Sequence, residues 1–144
     1  MSTRIERLAI GAVAVFIAVS AAAGAIGLIS GGLVFPPEWL EGTPFSNYIG
    51  PGFILGVVVG GSALLASVLL LRGHPFALPA AFVAGMIQLG WIVGEVLLIG
   101  AYGAVMLGLQ VVYGVAGALL ASLAYHASRR TAMAAPAAPR GASA

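Results

Sequence analysis

Residues 52–71 read GFILGVVVGGSALLASVLLL, a run of 20 residues without a charged side chain. A helix needs about 20 consecutive apolar residues to cross roughly 30 Å of hydrocarbon, so this run predicts a transmembrane helix. Pro51 precedes the run and Arg72 follows it. The stretch therefore indicates a helical membrane protein, and the remainder of the chain has to agree with that fold class.

The rest of the chain repeats this pattern between its few charges. Of 144 residues, 61% are hydrophobic and 7% are charged, and the mean hydropathy is +1.11, whereas a typical soluble domain carries about 25% charged residues. The long uncharged intervals predict three further spans, at about residues 8–29, 77–99 and 104–125. The predicted fold class is all-α membrane: a four-transmembrane-helix bundle over residues 1–126, followed by a disordered Ala/Pro-rich cytoplasmic tail over residues 127–144.

The basic residues all fall on one side of the predicted spans, and every one of them is an arginine. They lie before the first span, directly after the second, and after the fourth: Arg4, Arg7, Arg72, Arg129, Arg130 and Arg140. Because basic residues concentrate in cytoplasmic segments, we expect a multi-pass protein of the cell membrane with both termini in the cytoplasm, that is, N-in/C-in.

The first span has an alternative interpretation as a secretory signal peptide. Ala21, Ala22 and Ala23 would then supply the small residues of a cleavage site. The apolar run continues past these alanines to Ile29, which gives it a full membrane-crossing length. An uncleaved membrane anchor is therefore the favoured interpretation.

The residue types that hold common cofactors are scarce. The chain contains no cysteine, and its two histidines, His74 and His126, fall at predicted helix ends. This composition excludes disulfides and cysteine-ligated clusters, and it leaves no bis-histidine haem site inside a span. The phosphate-binding and dinucleotide-binding glycine motifs are missing from the sequence. We therefore expect no cofactor and no metal site. No nucleic-acid partner is expected either, because the arginines lie beside the spans and leave no surface for a basic groove.

Small residues are the expected means of helix packing. In lipid, helices associate where glycine or alanine lets two backbones approach closely. Gly52, Gly56 and Gly60 fall four residues apart on the second helix and predict its central packing seam. Further glycines are predicted to pack the third and fourth helices: Gly90, Gly94, Gly114 and Gly117.

Polar side chains are costly at membrane depth, so they are the first functional candidates. Glu95 is the one carboxylate within a predicted span, and Gln88 and Trp91 share its face of the third helix. Gln110 and Tyr113 lie at similar depths on the fourth helix, which the short connection makes an antiparallel neighbour. These five residues form a candidate intramembrane polar seam.

If the two faces oppose each other, the seam opens outward beneath the connection that carries Trp39 and Tyr48. In the alternative interpretation, the amides and the phenol only hydrogen-bond between helices, while Glu95 reaches the outer headgroups. The sequence leaves both interpretations open.

Several short stretches resemble a known group of proteins. TPFSNYIGPG at 43–52 is followed by a glycine-bearing span, by a tryptophan-containing third helix that ends in LLIG at 97–100, and by a fourth helix with Leu109-Gln110. In these features the chain is similar to uncharacterised bacterial four-helix integral membrane proteins. The resemblance covers most of the chain except the tail, and it implies topology alone.

Three functional classes remain. The preferred interpretation is an accessory or structural membrane subunit, because almost no sequence lies outside the spans and no catalytic set is recognisable. The alternative is a small oligomeric transporter or channel subunit with the seam around Glu95. A lipid-modifying enzyme is the third class, but Glu95 with Tyr113 gives it thin support, so enzymatic activity is not expected. The expected partners are the lipid bilayer and either further copies of the chain or a membrane complex.

Overall fold

The computed structural model of the protein describes residues 3–100 and 102–134. Every regular element in these ranges is helical, and four helices are long and apolar enough to cross a membrane. This confirms the predicted all-α chain with four membrane-length helices. The helices are α1 (Thr3–Ser30), α2 (Ile49–Leu71), α3 (Ala77–Leu98) and α4 (Gly103–Ala134), and a short 3-10 turn, Pro37–Leu40, lies between α1 and α2.

The fourth helix is longer than predicted. The prediction that the tail is disordered from residue 127 onward is wrong for its first eight residues, because α4 continues to Ala134. Residues 135–144 lie outside the described ranges. Alanine and arginine favour helix in this stretch. In addition, Ala127 is buried in the core, and the guanidinium of Arg130 lies 3.3 Å from the carboxylate of Glu6 on α1. Helix propensity and tertiary contact together extend α4.

The bundle has two chemically different ends. One end, called here the arginine end, carries five arginines: Arg4, Arg7, Arg72, Arg129 and Arg130. The other, called here the aromatic end, carries a group of contacting rings: Phe35, Trp39, Tyr48 and Tyr102. Between them the core consists largely of alanines from all four helices, joined by a few larger side chains such as Ile10, Ile17 and Leu120.

The glycine stripe of α2 packs against small residues of α1. A Cβ placed on Gly56 would lie 2.8 Å from the Cβ of Ala25, and one on Gly60 would lie 3.4 Å from the Cβ of Ala21. A Cβ on Gly52 would lie 2.9 Å from Cγ1 of Ile29. The seam proposed from the glycine spacing is thus the contact between α1 and α2.

A π-helical segment, Ile54–Gly60, lies in the middle of α2. Glycines four residues apart drift by about 40° per step around an α-helix of 3.6 residues per turn. The i→i+5 hydrogen bonds of a π-helix widen each turn and so counteract this drift. The segment therefore keeps Gly56 and Gly60 on the side of α2 that faces α1.

Helices α3 and α4 approach most closely at a pair of glycines. A Cβ on Gly85 would lie 2.6 Å from the backbone nitrogen of Ala121 and 2.8 Å from the carbonyl oxygen of Gly117. A Cβ on Gly117 would lie 3.1 Å from the carbonyl oxygen of Gly85. Because the obstacles at Gly85 are backbone atoms, that position has no room for a side chain; a Cβ on Gly117 would in addition lie 2.9 Å from Cγ of Gln88. Gly117 was among the predicted packing residues, and Gly85 was not.

The packing role predicted for Gly90 and Gly94 is wrong. An added Cβ at either position would meet nothing within 4 Å. They follow Gly85 by five and nine residues, which places them on the opposite side of α3. Gly114 makes an ordinary contact, with its added Cβ 3.8 Å from Cγ2 of Ile92.

We expect Gly85→Ala to destabilise the bundle and Gly90→Ala on the same helix to leave it intact. The methyl group at position 85 would press into the backbone of α4, and overpacking of this kind costs about 1–3 kcal/mol. At position 90 the space is open and alanine is the better helix former, so that variant should be neutral or slightly more stable. Thermal unfolding of both variants in one detergent measures the difference. Equal midpoints would show that α3 and α4 do not meet at Gly85.

Candidate functional site

A cavity of about 660 Å³ lies between α1, α3 and α4, in the half of the bundle nearer the aromatic end. The five residues of the candidate polar seam all line it: Gln88, Trp91, Glu95, Gln110 and Tyr113. The structure therefore brings together side chains that the sequence analysis selected from two separate helices.

The register of the α3–α4 hairpin explains this convergence. Close contacts pair Gly85 with Gly117, and Ile92 with Gly114. Continuing the same antiparallel register along the hairpin places Glu95 level with Gln110. On each helix the seam residues recur at intervals of three, four or seven positions, so they share one face.

Helix α1 supplies the third wall, which the sequence analysis missed. Ser20, Ala21 and Gly24 line the cavity, and their small side chains leave open space opposite α4. At the inner limit of the cavity, the ring of Phe16 stacks on the ring of Tyr113 with 5.8 Å between centroids. The spacing of Phe16, Ser20 and Gly24 at intervals of four is a signal that could have identified this face.

A second, smaller cavity of about 280 Å³ lies beneath the α1–α2 connection. It shares part of its wall with the first cavity: Leu28, Phe35, Trp91, Glu95 and Met106 line both. Gly90 and Gly94 also line the smaller cavity, which explains why their Cβ positions are open. Glu95 thus stands at the junction of the two spaces.

Aromatic rings cover the smaller cavity. Trp39 stacks almost parallel on Tyr102 of the α3–α4 connection, with 5.1 Å between centroids, and Phe35 contacts both Trp39 and Tyr48. The Tyr48 hydroxyl donates a hydrogen bond of 2.7 Å to the carbonyl oxygen of Pro36. These contacts join the two connections at the aromatic end into one cover.

The Tyr48 hydroxyl is suited to hold this cover. Burial, and secondly the negative charge of Glu38, raise the pKa of the hydroxyl above its ordinary value. A phenol with a raised pKa stays protonated to higher pH than usual. Tyr48 therefore keeps donating its hydrogen bond throughout the neutral and mildly alkaline range.

The larger cavity contains hydrogen-bond acceptors that lack donors. Gln110 is 5% exposed, and its Nε2 donates to the carbonyl oxygen of Gly100 at 3.1 Å, while its Oε1 has no partner. The half-buried carboxylate of Glu95 forms no ion pair with any described residue, since the one salt bridge in those ranges joins Arg130 to Glu6. The cavity is thus chemically suited to a ligand that donates hydrogen bonds.

The cavity does not combine groups that would hold a metal ion. Within residues 3–100 and 102–134, no three His, Asp or Glu side chains cluster closely enough to do so. His74 follows α2 and His126 lies near the end of α4, so both are at the arginine end and far from Glu95.

Comparison of the chain with protein-family models, with curated proteins and with solved structures finds no match. The two cavities and the unpaired acceptors within them are therefore the features of the molecule that bear on its function.

Proposed function

We propose that the four helices cross a cell membrane, with the arginine end in the cytoplasm and the aromatic end outside. The described arginines collect at one end of the bundle, in agreement with the concentration of basic residues in cytoplasmic segments. Trp39, Tyr48 and Tyr102 collect at the other end, where indole and phenol rings suit the membrane–water interface. Both termini are then cytoplasmic.

Within this bundle we propose a ligand-binding role: the protein is a membrane binding or transport subunit for a small amphipathic amine. The observation that carries this proposal is the pair of unmatched acceptors in one cavity, the Glu95 carboxylate and the Oε1 of Gln110. A protonated amine supplies hydrogen-bond donors to both and a positive charge that compensates the carboxylate.

The remainder of the cavity fits the apolar part of such a ligand. Its volume of about 660 Å³ falls within the roughly 300–1,000 Å³ of small-molecule sites. Trp91 and Tyr113 are aromatic residues of its lining, and aromatic rings suit both a cation and an alkyl chain. The rim includes the exposed side chains of Ile26 and Leu109, so the cavity opens sideways between α1 and α4. An amphiphile in the outer leaflet can enter by this opening.

This proposal favours the transport or binding class over a purely structural subunit. The lateral opening between α1 and α4 would be closed either by lipid or by another helix, so assembly with further copies or with a membrane complex is compatible with it. The lipid-modifying class has less support, because Tyr113 is the one other titratable side chain beside Glu95 in the larger cavity.

The amine proposal is tested with dodecylamine and the protein in nanodiscs of zwitterionic lipid. We expect wild-type protein to bind the amine more tightly than dodecanol, which has the same chain length. Glu95→Gln should weaken amine binding at least about tenfold, because a hydrogen bond to a charged group contributes about 1.5–3 kcal/mol.

The matched control is Glu41→Gln, an exposed carboxylate of the α1–α2 connection that lines neither cavity. It should bind dodecylamine as wild type does. Equal affinity of wild-type protein for the amine and the alcohol would overturn the proposal.

Gln110→Met should change the stability of the unliganded protein little, although it removes a hydrogen bond. Loss of the bond to Gly100 costs about 0.5–1.5 kcal/mol, while removal of the unpaired Oε1 relieves a desolvation penalty of about 1–3 kcal/mol. Amine affinity should fall, because one acceptor is missing. Thermal unfolding and binding measure the two effects separately, and a large loss of stability would show that Oε1 is already satisfied in the empty cavity.

The orientation is tested with topology reporters. A reporter fused before Arg4 and one fused after Ala144 should both report the cytoplasm, and one inserted at Gly42 should report the outside, since Gly42 lies in the arginine-free α1–α2 connection. An external C-terminus would contradict the four-span arrangement.

A further inference from the structure

An open groove of about 1190 Å³ lies along the exposed face of α1, with the last turns of α2 as its other wall. Arg4 and Arg7 are at its end nearest the chain terminus. Beyond them its lining is largely apolar, with Leu8, Val15 and Val19 among the contributing side chains and Ser20 and Ser67 as the polar ones. The groove therefore combines a cationic end with a long hydrocarbon surface.

Among residues 3–100 and 102–134, no acidic side chain pairs with Arg4 or Arg7. The chain has four acidic residues. Three of them, Glu38, Glu41 and Glu95, lie toward the aromatic end. The fourth, Glu6, falls between the two arginines in sequence, but its side chain is buried on the opposite side of α1, where it pairs with Arg130. Two exposed guanidinium groups thus remain side by side at the mouth of the groove.

The dimensions of the groove match one leaflet. Arg4, Arg7, Leu8 and Gly11 recur at intervals of three and four and therefore share one face of α1. From Arg7 to Val19 the helix rises roughly 18 Å. Half of a hydrocarbon core is roughly 15 Å thick. An acyl chain whose headgroup lies at Arg7 can therefore extend along the groove.

We propose that this groove binds one anionic phospholipid, with its phosphate on Arg4 and Arg7 and an acyl chain along α1. Guanidinium groups bind phosphate oxygens in a two-point geometry that suits this contact. The phosphate end of the site lies at the opposite end of the bundle from Glu95, and the far end of the groove shares Ser20 and Ala23 with the larger cavity. The site does not depend on the amine-binding role. It requires only that the arginine end meets a leaflet containing anionic lipid.

The experiment is native mass spectrometry of the full chain, released from detergent micelles with added phosphatidylglycerol or phosphatidylcholine. Wild-type protein should retain one phosphatidylglycerol in preference to phosphatidylcholine. The double variant Arg4→Gln/Arg7→Gln should reduce phosphatidylglycerol retention at least about tenfold, because both charge-assisted contacts are lost. Arg129→Gln, an exposed arginine at the same end that does not line the groove, is the matched control and should retain the lipid.

A second pair of variants tests the acyl-chain part without altering charge. A Cβ on Gly11 meets nothing within 4 Å, so Gly11→Phe should fold while its ring fills the groove and displaces the lipid. Gly108→Phe, where a Cβ likewise meets nothing within 4 Å, is the control on α4 and should retain the lipid. Glycerol 3-phosphate, which has a phosphate but no acyl chain, should not compete.

Three outcomes would overturn the proposal. Equal retention of the two lipids by wild-type protein would show that the groove does not recognise the charge of the headgroup. Equal loss of phosphatidylglycerol in Arg129→Gln and in the double variant would show that any surface arginine contributes. Full retention by both Gly11→Phe and the double variant would place the lipid elsewhere. Dodecylamine binding should be unchanged in every variant, which distinguishes failure of this site from failure of the cavity at Glu95.

Discussion

The backbone contact between Gly85 and Gly117 is the constraint on which the functional half of the molecule depends. It brings α3 and α4 closer than any side chain would permit, and it fixes their antiparallel register. That register places Glu95 level with Gln110, and Trp91 close to Tyr113. A one-residue slip would rotate the seam residues of α4 by about 100° relative to those of α3, because successive residues of a helix differ by that angle.

The two halves of the bundle are packed differently. Toward the arginine end the core is dense, with alanines and a few aliphatic side chains at almost no exposure. Toward the aromatic end the small residues of α1 face polar and aromatic residues of α3 and α4, and the helices enclose space instead of filling it. The densely packed half thereby holds the cavity walls apart. The residues that line the cavity would not do so alone.

The sequence was sufficient to predict the helices and the residues of the seam. It was not sufficient to predict which faces of the helices are in contact. Uncharged runs determine where hydrocarbon-length helices lie, and helical spacing determines which polar residues of one helix share a face. Spacing does not reveal which face meets a neighbour, so Gly90 and Gly94 were chosen where Gly85 makes the contact. The wall from Phe16 to Gly24 was missed for a related reason, since small apolar residues carry no sign of whether they enclose space or fill it. The length of α4 depends in part on its contact with Glu6, which precedes Arg130 by 124 positions.

The pairing of Glu6 with Arg130 also has a consequence for the order of biosynthesis. The glycine contacts join helices that follow each other in the chain, so each can form as soon as its second helix has emerged from the ribosome. The ion pair spans 124 positions and has to wait for the last helix. Until then the first helix carries an unpaired carboxylate on the face that will become buried, which disfavours premature closure of the bundle around it. The arrival of Arg130 removes that obstacle, so this link between the first and fourth helices can form only after α4 has been synthesised.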